Sequence, residues 1–312
     1  MYGLNDSDFF KDTGRLFKMW GSEAIMLDMA QDWLCINVEN ATAVVFQNLS
    51  IDPTIVFFGY ISFPDDVHIA DRLFTAIEQW AKEKKALKIV GPVNYATWVN
   101  YRWMTEGWEH PPVAPETDNP QYMPEIAEKL GYSICSTYSS SLVKACDTDF
   151  IDYEDRYRKL IKEGYVFETY AGKESLFAVD DMHKISQAFS KNPYYCHVPY
   201  DVFKNSYVQS LVKEDTVVDI CIKNRQICAY CVNYVNKPFE DWWVLKSIAV
   251  MQEHQGKNIG SGLRYLLHKH ALDAGCSGVV HHYRFDGNIS MKLAKSGTII
   301  KRYALFSKKL EY

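Results

Sequence analysis

Apolar and polar positions follow helical and strand-like periods that recur in both halves of the chain. After residue 259, apolar side chains recur at helical spacing and predict one amphipathic helix. The second half predicts a polar helix at 151–165, a strand at 166–171, helices at 179–192 and 199–212, strands at 217–225, 226–235 and 242–250, a helix at 259–271, a strand at 277–285, a short helix at 288–297 and a strand at 298–310.

The first half repeats the end of this plan. It predicts a strand at 54–62, a helix at 68–85, a strand at 86–93, a helix at 122–132 and a strand at 133–143. Pairing Ile69 with Ile259 and Gly131 with Gly297 brings the two series into register around an insertion at 95–118, rich in aromatic residues and proline. An internal duplication is the economical explanation, and chance similarity is the alternative.

Length and pattern together predict two domains of mixed α/β (α+β) class, at 1–145 and 146–312. Each domain is expected to have a mixed, mostly antiparallel central sheet flanked by helices. Such a pair can pack as a pseudo-dimer, so a monomer is expected as readily as a homodimer.

Net charge and the length of apolar runs limit the kinds of partner that can be expected. The chain has 34 Lys and Arg against 39 Asp and Glu, a net charge of −5 without a basic stripe, which argues against a nucleic-acid surface. No apolar run is long enough to span a bilayer. The first residues do not have the pattern of a secretory signal, so a cytoplasmic protein with reduced thiols is expected.

Of the eight cysteines, Cys228 and Cys231 have a spacing that can serve zinc or redox chemistry. They lie in an apolar, strand-like run without a second matching pair, so buried strand cysteines are expected and no metal site is predicted.

The stretch "EHQGKNIGSGLRYL" at 253–266 is a glycine-containing turn that leads from a strand into a helix. Its backbone N–H groups and the helix dipole can bind phosphate, and Lys257 adds a positive charge. The alternative is a plain glycine-rich entrance to a helix.

The longer stretch "SIAVMQEHQGKNIGSGLRYLL" resembles the acyl-CoA signature of GNAT N-acetyltransferases, and the order of elements over 150–312 is similar to the whole GNAT fold. Gln255, Gly256, Lys257, Ile259 and Gly260 fit the signature. Asn258 departs from it, since glycine is usual there, but asparagine tolerates left-handed backbone angles.

This resemblance implies that acetyl-CoA or another acyl-CoA is the co-substrate. Its pyrophosphate would lie on the N–H groups of 255–260, with Ser261 and Gly262 beginning the helix beside it. Its pantetheine arm would pair like a strand with Ile248, Ala249 and Val250. Asn288 resembles an asparagine that contacts this arm, and a helix cap is the alternative.

The first half has Asp65, Asp66 and Asp71 at the matching helix start, so its copy is expected to repel a pyrophosphate and bind no CoA. The insertion and its surroundings also resemble tandem GNAT-like proteins of poorly defined substrate. That match rests on Gly91, Pro92, Asn94, Glu106, Gly107, Trp108, Pro111, Pro112, Asn119, Pro120 and Tyr122. The aromatic run at 95–108 would line an acceptor pocket or form a packed cover.

Acyl transfer to an amine requires a neutral nucleophile, a stabilised oxyanion and a protonated leaving thiolate. The resemblance implies that a backbone N–H near Val250 meets the oxyanion. It also implies that a tyrosine on the last helix protonates the leaving thiolate, but the helix predicted at 288–297 has no tyrosine.

The remaining acid–base candidates are His281 and Tyr283, expected on one face of their strand, with Tyr303 and Asp241. The alternatives are that His281 packs against the sheet or faces solvent, and that Tyr303 is a core or rim aromatic.

The sequence thus predicts an acyl-CoA-dependent N-acyltransferase that acts by direct transfer in a ternary complex. The acceptor amine is a small molecule, a peptide or a lipid-like amine. One alternative is a non-catalytic acyl-CoA-binding or regulatory module. Another is an aminoacyl-tRNA-dependent transferase of tandem GNAT type, against which the net charge speaks.

Overall fold

The computed structural model describes residues 9–10, 32–98, 101–146, 148–211, 216–287 and 297–312. The strands of the first half are β1 (Phe9–Phe10), β2 (Asp32–Val38), β3 (Ala41–Gln47), β4 (Ile55–Ser62), β5 (Lys88–Gly91), β6 (Trp103–Glu106) and β7 (Ser133–Lys144), and its helices are α1 (Val67–Glu83) and α2 (Tyr122–Lys129). The strands of the second half are β8 (Val166–Ala171), β9 (Thr216–Lys223), β10 (Gln226–Val235), β11 (Trp242–Val250), β12 (Gly278–Phe285) and β13 (Thr298–Lys309), and its helices are α3 (Thr148–Lys162), α4 (Val179–Ile185), α5 (Tyr200–Leu211) and α6 (Ile259–Asp273).

Within the described residues, all of these strands join in one sheet, in the order β1-β2-β3-β4-β5-β13-β7-β12-β11-β10-β9-β8, with β6 also paired to β13. The pairs β4/β5 and β11/β12 are parallel, and the other neighbours are antiparallel. The predicted fold class, a mixed and mostly antiparallel sheet flanked by helices, is therefore confirmed.

The two halves exchange their last strands. β13 lies between β5 and β7, and β7 lies between β13 and β12. The strand order consequently reads the same from either end when β2–β5 are matched with β9–β12 and β7 with β13. The division at 145 and 146 stays a prediction, and each proposed domain has a strand of the other in its part of the sheet.

Helices cover the sheet because each presents one apolar stripe. The stripe of α1 consists of Ala70, Leu73, Phe74, Ile77, Trp80 and Ala81, all buried against the first half of the sheet. In the second half, α6 and α3 pack on one face. The predicted polar connecting helix, α3, buries Tyr153 and Leu160, and its Tyr157 contacts Tyr265 of α6.

The opposite face of the second half is covered by α4 and α5. Their buried residues, including Met182 and Phe203, belong to a core cluster that also contains Phe57, Tyr138 and Tyr230. This cluster therefore joins the two halves. Among the described residues, no helix is long and apolar enough to cross a membrane.

Candidate functional site

An opening between two parallel strands marks the candidate site. β11 and β12 pair only from Trp242 with Gly278 to Leu245 with His281. Beyond that point, β11 continues to Val250 and β12 to Phe285 without pairing to each other. The strands therefore diverge, and within the described residues their facing edges do not pair with each other beyond this point.

The alternation of an antiparallel ladder shows which groups of β11 face the opening. The N–H of Met251 donates to the carbonyl of Cys228 at 2.8 Å, and Ala249 lies opposite Tyr230 two residues earlier. Since every second residue bonds to β10, the N–H groups of Ile248 and Val250 point toward the opening. Of the three residues predicted to pair with the pantetheine arm, Ile248 and Val250 thus have their N–H groups at the opening. The N–H group of Ala249 is directed to β10 instead.

The predicted phosphate-binding turn closes one end of this opening. The side-chain amide of Gln255 donates to the carbonyl of Val250 at 3.1 Å, which joins the turn to β11. Gly256 has a φ of 80°, and Asn258 has a φ of 64° and a ψ of 15°. The predicted tolerance of Asn258 for the left-handed conformation is therefore confirmed.

Five successive N–H groups of the turn, at Gly256 to Gly260, donate to no acceptor in the described part of the chain. The next two, at Ser261 and Gly262, donate to the carbonyl of Asn258 at 2.9 and 3.2 Å. The side chain of Asn258, at the cap position of this helix, makes no capping hydrogen bond. Unpaired N–H groups at a helix start carry partial positive charge, so the turn is suited to an anion.

Three residues of the signature face the protein rather than the opening. Ile259 is buried at 1% exposure. A Cβ at Gly262 would lie 2.9 Å from the ring of Phe167, so this glycine permits close packing. The hydroxyl of Ser261 accepts a hydrogen bond from Arg156 of α3 at 3.1 Å. By contrast, a Cβ at Gly260 would meet no atom closer than 3.9 Å.

The first copy of this strand–turn–helix unit is closed in two ways. Asp66 accepts hydrogen bonds from the N–H groups of His68 and Ile69 at 2.8 and 3.2 Å, so a carboxylate already caps α1. The chain after β5 then fills the strand gap: Val93 N–H donates to Phe58, and the side chain of Asn94 accepts from Tyr60 N–H at 2.7 Å. Asp65 and Asp71 lie near the same helix start but are not part of the cap.

His281 lies on the α6 face of β12, beside His268, and is fully buried. Neither ring nitrogen has a hydrogen-bond partner among the described residues. Burial, with the charges of Arg264 and Arg284 nearby, lowers the pKa of His281 well below its usual value. The imidazole is therefore neutral, and the predicted alternative that it packs against the sheet describes its position.

Tyr283 lies on the opposite face of β12 from His281, so the prediction that they share a face was wrong. The ladder between β12 and β7 shifts register between His281 and Arg284, and Tyr283 has a φ of 51°. This bulge turns Tyr283 onto His282, with ring centroids 3.7 Å apart, and toward Tyr303, at 4.6 Å. The structure thus brings Tyr283 and Tyr303 together.

Both tyrosine hydroxyls are engaged by the insertion. The hydroxyl of Tyr283 accepts from Thr117 N–H at 2.7 Å, and the hydroxyl of Tyr303 donates to the carboxylate of Glu116. Burial raises the pKa of Tyr283 to about 12 and that of Tyr303 further above its usual value. Both phenols are therefore protonated at neutral pH.

Glu116 is the centre of this network, and the pattern of the sequence did not single it out. Its carboxylate also lies 2.8 Å from the ammonium of Lys301, and both side chains are almost fully buried. The nearby His282 accepts from Ser140 at 2.9 Å and donates to the carbonyl of Pro115 at 3.0 Å. Burial lowers the pKa of His282 to about 3. The only feature of the sequence that could have indicated this role is the position of a glutamate within an aromatic, proline-rich insertion.

The motif residues shared with tandem GNAT-like proteins shape the insertion. Asn119 binds the backbone of Met104 through both its carbonyl and its amide, and Trp108 donates to the carbonyl of Asn119. A Cβ at Gly107 would lie 2.2 Å from the carbonyl of Ile300. These contacts describe a packed cover over β13.

The remaining predicted residues have simpler outcomes. Cys228 and Cys231 are buried on β10, as expected. Within the described ranges, no group of three or more His, Cys, Asp or Glu side chains could coordinate a metal ion. Asp241 accepts from Ser277 before β12. Asn288 lies outside the described residues.

Comparisons with known proteins agree with this geometry. Residues 179–297 match the model of the acetyltransferase (GNAT) family, and a search of curated protein sequences found no match. Among solved structures, a tandem GNAT protein from the clavulanic acid biosynthesis pathway has 10% identity and a TM-score of 0.50, over 98% of this chain and 96% of that chain. A GCN5-related N-acetyltransferase from Kribbella flavida has 10% identity and a TM-score of 0.51, over 96% of this chain and 65% of that chain. Residues 179–297 therefore match the acetyltransferase (GNAT) family, and the chain has a fold similar to that of a tandem GNAT protein.

Proposed function

We propose that the chain is an acyl-CoA-dependent N-acyltransferase whose second half binds the acyl-CoA. The observation that carries the proposal is the run of unpaired N–H groups from Gly256 to Gly260, at the end of the opening between β11 and β12. The first half, closed by Asp66 and Asn94, binds no CoA in this proposal.

Each part of the opening has one task. The N–H groups of the turn and the ammonium of Lys257 bind the pyrophosphate. The edge of Ile248 pairs with the pantetheine arm, and the N–H of Val250 donates to the thioester oxygen as it becomes negative. The amine then forms a C–N bond as the C–S bond breaks, and the amine proton leaves with the thiolate as free thiol.

Tyr283, Tyr303 and His281 receive no proton-transfer step in this proposal. The hydroxyls of the two phenols are hydrogen-bonded to Thr117 and Glu116, so in this proposal the two side chains form a wall of the acceptor pocket. His281 is enclosed on the α6 face. The amine therefore enters neutral from solvent, and transfer rises with pH until the free amine predominates.

The test is a pair of substitutions at Gly260, where a Cβ has room. Gly260→Asp places a carboxylate beside the pyrophosphate site. Two unit charges 4 Å apart repel by about 4 kcal/mol at an effective dielectric of 20, or roughly a thousandfold in Kd. An aspartate in the first turn of a helix is favourable for folding, by about 0.3–1 kcal/mol.

We therefore expect Gly260→Asp to lose CoA binding by calorimetry without a lower Tm, while Gly260→Ala, the uncharged control, binds nearly as well as the parent chain. Equal CoA affinity in all three proteins would reject the site. Thiol release from acetyl-CoA with a panel of amines then tests the transfer itself.

A non-catalytic acyl-CoA-binding module is the second candidate, and the engaged hydroxyls of Tyr283 and Tyr303 favour it. It predicts CoA binding that Gly260→Asp abolishes, without amine-dependent thiol release from any member of the panel.

A further inference from the structure

Arg102, in the insertion, is a buried cation without a carboxylate partner among the described residues. It is 5% exposed. Its Nε donates to the carbonyl of Tyr101 at 3.1 Å, and its Nη1 donates to the carbonyl of Tyr283 at 3.4 Å. Two carbonyls satisfy part of the guanidinium but do not neutralise its charge, and a buried charge that is not neutralised is costly.

Three tyrosine rings surround this guanidinium. Its Cζ lies 3.5 Å from the ring centroid of Tyr101, 4.0 Å from that of Tyr283 and 4.3 Å from that of Tyr138. Rings at these distances attract the cation through their electron-rich faces, and the planes of Tyr101 and Tyr138 cross at 88°. Such contacts hold the guanidinium in place without using its N–H donors.

The free nitrogen of the guanidinium is Nη2. This nitrogen donates to no described acceptor, and it is not among the buried nitrogens that lack a partner, so it retains contact with solvent. Arg102 therefore presents unused donors to accessible space, although most of its side chain is enclosed.

The guanidinium stands at the edge of the opening between β11 and β12. It binds the carbonyl of Tyr283, two residues beyond His281, the last residue of β12 that pairs with β11. It also lies on the face of β12 opposite α6, where α4 and α5 cover the sheet. The nearby carboxylate of Glu116 is paired with Lys301, so the charge of Arg102 is not balanced locally.

We propose that Arg102 binds a carboxylate of the acceptor, which makes the acceptor an amine that also carries a carboxylate, as an amino acid does. The inference rests on the proposed acyl transfer and names its substrate class. A guanidinium edge matches a carboxylate in geometry and charge, while an amide in the same place offers only a neutral oxygen.

Matched ligand pairs test this without altering the protein. Each pair contains one amine with a carboxylate and the same amine as its carboxamide, such as glycine with glycinamide, β-alanine with β-alaninamide, and the protein amino acids with their amides. Binding of both members is measured by calorimetry or ligand-observed NMR, with and without saturating CoA. We expect at least one carboxylate to bind about tenfold or more tightly than its amide.

Two substitutions then assign that preference to Arg102. Arg102→Lys keeps the charge but removes the planar edge, and Arg102→Gln removes both, so the preference should fall to less than about twofold in Arg102→Gln and to an intermediate value in Arg102→Lys. Arg302→Lys, an exposed arginine of β13 paired with Glu106, is the matched control and should keep the full preference. CoA binding by the same samples reports on folding.

The outcomes separate this inference from the proposed function. Absence of a preference for any carboxylate in the parent chain, or a preference undiminished in Arg102→Gln, overturns the role of Arg102 even if acyl transfer occurs. Absence of CoA binding rejects the proposed function instead, and the ligand pairs measured without CoA still report on Arg102.

Discussion

The buried pair of Lys301 and Glu116 allows a quantitative test of how the insertion is fixed to the sheet. The ammonium of Lys301 lies 2.8 Å from a carboxylate oxygen of Glu116, and the two side chains are 2% and 9% exposed. Glu116 also accepts from Tyr303 and from the N–H of Val113. Because solvent cannot screen either charge, removing one partner leaves the other buried and uncompensated.

Lys301→Met should therefore lower the free energy of unfolding by about 3–5 kcal/mol, the usual cost of breaking a buried ion pair. The adjacent Arg302 provides a matched control, since its pair with Glu106 is 43% and 68% exposed at 3.3 Å. Arg302→Met should cost at most about 1 kcal/mol. Urea unfolding followed by tryptophan fluorescence measures both variants.

The double variant Lys301→Met, Glu116→Gln removes the charged pair as a unit. It should be more stable than Lys301→Met alone, because the uncompensated carboxylate is gone. If Lys301→Met costs no more than Arg302→Met, or if the double variant loses the sum of the two single losses, the account of this pair as buried and coupled is wrong.

Three further predictions concern pH and the first half. Burial lowers the pKa of His282 to about 3 and that of His281 well below its usual value. Below about pH 6.5 these two histidines therefore bind protons in the unfolded chain that they do not bind in the folded chain. Their contribution should lower the free energy of unfolding from pH 6.5 toward pH 3, by at most about 2.7 kcal/mol per pH unit, and a flat profile from urea denaturation would contradict this. Gly59→Ala places a Cβ 1.9 Å from the carbonyl oxygen of Val93, so calorimetry should show a lower Tm, and an unchanged Tm would mean that the gap is not filled. Asp66→Ala removes the cap of α1 and should lower the free energy of unfolding, measured with urea, by about 0.5–2 kcal/mol. An unchanged free energy of unfolding would mean that the carboxylate does not cap the helix.

Local chemistry explains what could be predicted from the sequence. The turn at 255–260 and the left-handed Asn258 follow from glycine, asparagine and the period of the next helix. The closure of α1 by Asp66 follows in the same way, since an aspartate at a helix start accepts from nearby N–H groups. In each case, the residues that decide the conformation lie within a few positions of one another.

Features that depend on distant residues escaped prediction. Alternation identifies β7 and β13 as strands, but it does not say which strands lie beside them, so their exchange was not foreseen. One bulge in β12 reversed the expected face of Tyr283, because a single extra residue flips the alternation. The surroundings of Arg102 were not predicted either, since two of its three rings, those of Tyr138 and Tyr283, come from β7 and β12.

The exchange of strands changes how the closed first half relates to the open second half. β7 belongs to the first half, yet it pairs along β12, one wall of the candidate site. Its Tyr138 lies against Arg102, and its Ser140 binds His282. The first half, whose own strand gap is filled, therefore supplies a wall to the site in the second half. Without the first half, an edge of β12 would be uncovered, on the side of the site where the proposed acceptor would enter.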